Sequence, residues 1–176
     1  MNTMLQEVNT WMHRNARELE LSQWAYFFEN GSRESVLAAA LMFRNEDGGF
    51  GHAIESDNWN PASTPIATFT AFHLLLSVGV AGTHPVMQGM LDYFAHTAED
   101  GMWHFTVASN DGHPHAPWWN YSTESNAVQD MGVTATIDAL ALRFAAPESK
   151  LYQRAACGTL RGHGLTTWRN MLRSLP

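Results

Sequence analysis

Cysteine, charge and basic clusters are all scarce in this chain, and each scarcity removes a class of protein. A single cysteine, Cys157, excludes an intramolecular disulfide and fits a reducing, cytoplasmic setting. Charged residues are 15% of the sequence against 45% apolar residues, a balance that excludes a disordered, highly charged segment. The formal charge is −7 and no basic cluster occurs, so no nucleic-acid partner is expected. No apolar run approaches the ~20 residues of a membrane-spanning helix. The first residues lack the basic-then-apolar order of a signal peptide. Neither a Gly-x-Ser-x-Gly elbow nor a phosphate-binding loop is found. Clustered carboxylates able to hold Mg²⁺ on a diphosphate are missing too; Glu55 and Asp57 are the nearest pair and lie in a loop.

What is present is aromatic and helical. Seven Trp, nine Phe and four Tyr imply a core rich in rings, some of them candidates to line an apolar pocket. Leu5, Val8, Met12, Ala16 and Leu19 recur at helical spacing, which predicts a first helix from about Gln6 towards Phe28. Ser32 caps a second helix, and Thr64-Pro65 opens a third that runs to about Val78. Thr83 and Pro85 open a fourth, residues from about Val128 or Gly132 to Ala145 form a fifth, and Pro147-Glu148 opens a sixth. The fold class is all-α, with about six helices.

The chain is organised around Asn45 to Phe72. Asn45-Glu46-Asp47-Gly48-Gly49-Phe50-Gly51 follows an apolar helix; its glycines permit a tight path and Phe50 supplies an apolar anchor. A weaker copy, Asp100-Gly101-Met102-Trp103, lies 53 residues after Asp47. Ala135-Thr136-Ile137-Asp138-Ala139-Leu140 matches Ala67-Thr68-Phe69-Thr70-Ala71-Phe72 at a step of 68, which implies 15 inserted residues in the second copy and makes Phe69 and Ile137 equivalent. Repeats of this length mean stacked helix pairs that bury each other's apolar faces.

These motifs resemble the repeat of the terpenoid cyclase and protein prenyltransferase superfamily, which includes the squalene–hopene cyclases, over roughly Ser32 to Arg154. The resemblance implies an incomplete α/α toroid of repeated helix hairpins in residues 1–158, followed by an atypical basic tail, 159–176, that carries Arg161, Arg169 and Arg173. It implies an isoprenoid cyclase or prenyl-transferring enzyme, or a non-catalytic module that binds an isoprenoid or a partner. A carbohydrate-active α/α toroid with paired carboxylates shares the architecture. The turn residues Asp47, Gly48, Gly49, Phe50 and Gly51 are then structural. Phe69, Phe72, Trp103, Trp118, Trp119 and Ile137 are the candidate substrate-binding residues, steadying an isoprenoid or its carbocation by aromatic contact.

The family's protonating members use Asp-x-Asp-Asp before Thr-Ala. Asp130-Met131-Gly132-Val133-Thr134-Ala135 matches the first Asp and the Thr-Ala, but Gly132 stands where the donor should be. Asp130 and Asp138 are the candidate acids, and the alternative for Asp138 is a hydrogen-bonded polar residue on a buried helix. Asp111, His113 and His115 lie close together, but Cys157 is remote and two prolines restrict the loop, so neither metal nor cofactor is expected. The segment from His113 to Trp119 is read either as a lid over the cavity or as packing on outer helices.

Six helices make an arc, not a closed ring. Ile66, Phe69, Phe72, Leu76, Ile137 and Leu140 are expected to form an inner wall facing water. The expected partners are an apolar isoprenoid-like molecule and a covering surface for that wall: a second copy, a missing C-terminal half, or a membrane surface.

Overall fold

A computed structural model describes residues 3–122 and 127–160. Among the described residues all regular structure is helical: α1 (Thr3–Asn15), α2 (Glu18–Phe28), α3 (Arg33–Leu41), α4 (Pro65–Ser77), α5 (Pro85–Thr97), α6 (Ala127–Phe144) and α7 (Lys150–Leu160). Short 3₁₀ turns at Ala108–Gly112 and Pro117–Trp119 interrupt the long α5–α6 connection. Helix α7 runs two residues past Gly158, where the basic tail was expected to begin, and Arg161, Arg169 and Arg173 lie outside the described residues. No described helix is long and apolar enough to cross a membrane.

The helix starts follow from their caps. Ser32 Oγ accepts from Ser35 N at 3.1 Å, and Thr64 Oγ1 accepts from Ala67 N at 3.1 Å with Pro65 in the first turn. The cap of α5 is His84, not Thr83: its ring Nδ1 accepts from Val86 N at 3.2 Å. The expected first helix is two helices. Arg17 is extended (φ −71°, ψ 164°), and its guanidinium donates to the carbonyls of Ala53 and Ile54 while pairing with Glu20. Those partners are 36 and 37 positions away, so helical periodicity could not reveal the break.

Helices α3–α4 and α5–α6 form two units built on one hydrogen-bonding scheme. In the first, Gly48 takes φ 87°, Asp47 Oδ1 accepts from Gly49 N and Ser63 Oγ, and the buried Phe50 donates its N–H to Thr68 Oγ1 at 3.0 Å. In the second, Asp100 (φ 48°) and Gly101 (φ 82°) turn the chain, and the buried Trp103 donates its N–H to Thr134 Oγ1 at 3.0 Å. The aromatic and its threonine are 18 positions apart in the first unit and 31 in the second, so the insertion is 31 − 18 = 13 residues, not 15. Thr134 therefore corresponds to Thr68. Ile137 corresponds to Ala71, not Phe69, and both are fully buried whereas Phe69 is half-buried. Thr136, the residue that the sequence match aligned, is half-buried and donates to Gly132 O within its own helix.

The core lies along α4, which touches α3, α5 and α6, with α6 packed on α7 and α2 on α3. Phe50, Phe72, Leu75, Met87, Met90, Phe94, Trp103 and Ile137 are sealed inside it. The expected water-facing wall is therefore mostly core: Phe72, Ile137 and Leu140 are buried, and Ile66, Phe69 and Leu76 are half-buried against them. Helix α1 differs from all of this, having no buried residue and leaving Met4, Val8 and Trp11 exposed.

Candidate functional site

A groove of about 260 Å³ runs between the N-terminal halves of α4 and α6, lined by Ile66, Phe69, Phe105, Gln129, Gly132, Val133 and Thr136. Ile66 and Phe69 are one helical turn apart and so share a face, as do Gln129, Gly132, Val133 and Thr136 on α6. Gly132 leaves a gap in the α6 wall: a Cβ there would meet no heavy atom within 4 Å. Phe105 closes one side and is held from both ends. Its N–H donates to Asp130 Oδ1 at 2.7 Å, and its ring stacks on Trp119 at 5.1 Å and 19°.

Of the residues expected to bind substrate, Phe69 alone lines this groove. Phe72, Trp103 and Ile137 are corrected to core residues, each 0% exposed. Trp119 is buried behind Phe105, and Trp118 is exposed elsewhere on the surface. Phe105 and Val133 went unassigned in the sequence, and Ile66 was expected only as part of the inner wall. Ile66 carried a legible signal in its three-residue spacing from Phe69; Phe105 lies in an irregular segment and carried none.

The two candidate acids are committed to other groups. Asp130 takes the place in its unit that the cap Thr64 holds in the first, four residues before the threonine. Its two oxygens face Phe105 N and His104 Nδ1, the latter at 2.8 Å, and His104 Nε2 reaches Glu99 at 3.7 Å. Asp138 accepts from Arg154 Nη2 at 2.8 Å. Arg154 lies 3.6 Å over the Trp103 ring and also donates to Gly101 O, tying α7 to the second turn. Burial pushes the Arg154 guanidinium below its usual pKa, and Asp138 opposes that shift. Neither acid lines the groove, and a carboxylate engaged by arginine is poorly suited to hand a proton to an apolar ligand.

No residue of the inserted segment from His113 to Trp119 lines the groove, and Trp119 backs Phe105 from behind. The segment is fastened to the loop from His52 to Pro61. Trp59 N donates to Pro114 O and Ala116 N to Asp57 O, both at 2.9 Å, around the bridge of Asn58 with His115. Beneath them Asn110 Oδ1 accepts from the buried Asn58 and Asn60, and Asn110 Nδ2 donates to Trp119 O. Asp57 accepts from both indoles, Trp118 at Oδ2 and Trp119 at Oδ1, each at 3.0 Å. His52 (φ 53°) and Ala53 (φ 64°) are successive left-handed residues, a strained path held by Arg17.

Asp111, His113 and His115 do not converge. Asp111 Oδ1 accepts from Tyr121 N, and the His115 ring lies between His113 O and Asn120 Oδ1. Those two acceptors raise the His115 pKa above the ordinary histidine value. Among the described residues no group of three His, Cys, Asp or Glu side chains could hold a metal ion. Comparisons with protein-family models, curated proteins and solved structures found no match to this chain.

Proposed function

We propose that the chain is an incomplete α/α toroid whose α4–α6 groove binds an apolar, isoprenoid-like small molecule without chemically transforming it. One observation carries the reading: Ile66, Phe69, Phe105 and Val133 present a continuous apolar lining, with only Gln129 and Thr136 as polar members. The volume of about 260 Å³ falls just below the roughly 300–1,000 Å³ usual for small-molecule pockets. A short isoprenoid, or one end of a longer one, suits it. Catalysis is not favoured, because Asp130 and Asp138 spend their oxygens on Phe105, His104 and Arg154. The two-unit hydrogen-bonding scheme supports the toroid reading, since successive helix pairs of a toroid repeat one such joint.

Gly132 provides the test. Gly132→Phe should fill the groove and abolish binding of farnesol, measured by titration calorimetry, while the helix gains stability from loss of glycine. Wild-type protein that ignores farnesol, or a variant that binds it unchanged, would sink the proposal. Conversion of squalene or prenyl diphosphates into products would restore the cyclase or transferase reading.

A further inference from the structure

The outer face of the two fastened loops carries exposed aromatic surface that the groove does not use. Trp59 is 62% exposed and Trp118 is 61% exposed. Each indole nevertheless donates its N–H inward, Trp59 to Ser56 O at 3.2 Å and Trp118 to Asp57 Oδ2 at 3.0 Å. The rings are thus oriented by the protein, and what they offer to solvent is aromatic carbon rather than a hydrogen-bond donor.

The backing is rigid. Asp57 and Trp59 flank Asn58, which points into the buried asparagine cluster; Asp57 O accepts from Ala116 N and Trp59 N donates to Pro114 O, so both belong to the face where the two loops meet. Trp118 joins that face through Asp57. Pro114 and Pro117 stand exposed beside the indoles and stiffen the strip. Ser56, Asp111 and Asn120 add exposed hydrogen-bonding side chains around it.

The geometry points to a saccharide-binding platform at Trp59 and Trp118, with a neutral hexopyranose chain as its ligand. Sugar-ring C–H groups carry partial positive charge and seat on the negative face of an indole, while the hydroxyls at the ring edge need polar neighbours. Both requirements are met here. The chain's charge of −7, with Asp57 and Asp111 at this site, excludes acidic sugars by repulsion. This surface is distinct from the groove, so it stands or falls apart from the farnesol result.

The test is tryptophan-indole NMR and fluorescence titration with cellotetraose and maltotetraose. Shifts confined to the Trp59 and Trp118 resonances are expected, with affinity falling at least tenfold in Trp59→Ala. Trp118→Ala should do the same; its loss frees one Asp57 oxygen towards water, and a wild-type melting curve verifies folding. The inference is overturned if neither saccharide moves those resonances at tens of millimolar, or if the variants bind unchanged. It is equally overturned if sedimentation shows instead that these substitutions dissolve a self-association through the two indoles.

Discussion

The two helix–turn–helix units solve one problem with unequal tolerance. In both, a turn brings a buried aromatic N–H onto a threonine hydroxyl of the following helix. The first turn is pressed on all sides: a Cβ at Gly48 would sit 2.6 Å from Gly89 O of α5, and one at Gly49 would sit 2.6 Å from Ser63 Cβ. At the second turn, a Cβ on Gly101 would meet nothing within 4 Å. The same positive φ is thus enclosed in one unit and open in the other. The open turn leads into the longer connection, which is the one that accepted thirteen extra residues (31 − 18) and put them to use elsewhere.

The largest effect should come from turning both glycines into valine. Gly48→Val combines a left-handed φ with a clash against backbone, and should cost more than ~3 kcal/mol or prevent folding. Gly101→Val carries only the φ strain, about 1–2 kcal/mol. Urea denaturation of the two variants checks this, and equal losses would erase the contrast between the turns. Gly49 differs from Gly48: its φ is not positive and only its lack of a side chain matters.

A smaller difference is expected at the threonines. Thr68 is 0% exposed, so Thr68→Val leaves the Phe50 N–H buried and unpaired, a loss of about 1–3 kcal/mol. Thr134 is half-buried, so Thr134→Val lets water reach the Trp103 N–H and should cost about 1 kcal/mol or less. The ranking, read from the same urea denaturation, matters more than either value.

How much of this was legible in the sequence follows from distance along the chain. Ser32, Thr64-Pro65 and the Asp-Gly-aromatic turns are local signals, and the structure uses each where it is written. The break at Arg17 and the seat of Phe105 were not legible, because the groups that fix them, Ala53 and Asp130, lie 36 and 25 positions away. The register error at Thr136 has another cause. Thr134-Ala135-Thr136 offers two threonines to an alignment by identity, and only the hydrogen bond to Trp103 tells them apart. For the groove, helical spacing showed that α4 is apolar all round but not which residues face α6. Phe72 therefore looked as available as Phe69.

Helices α5 and α7 seal the two turns with opposite chemistry, and pH should separate them. On the second turn α7 sets an ion pair, Arg154 with Asp138. On the first, α5 sets the buried phenol of Tyr93, whose ring would lie 2.7 Å from a Cβ at Gly49. Burial, and then the negative charge of Asp47, push the Tyr93 pKa well above its ordinary value. A folded-state pKa raised above the unfolded one means that the folded chain holds its proton more tightly. The stabilisation is therefore complete below the unfolded value of ~10 and is lost as pH rises from there towards the folded value. Urea midpoints should hold steady to about pH 9.5 and then fall, by an amount that Tyr93→Phe largely removes because phenylalanine has no proton to lose. A Tyr93→Phe variant with the same alkaline decline as wild type would place the weakness outside the first turn, and the closely packed turn would then be no more pH-sensitive than the open one.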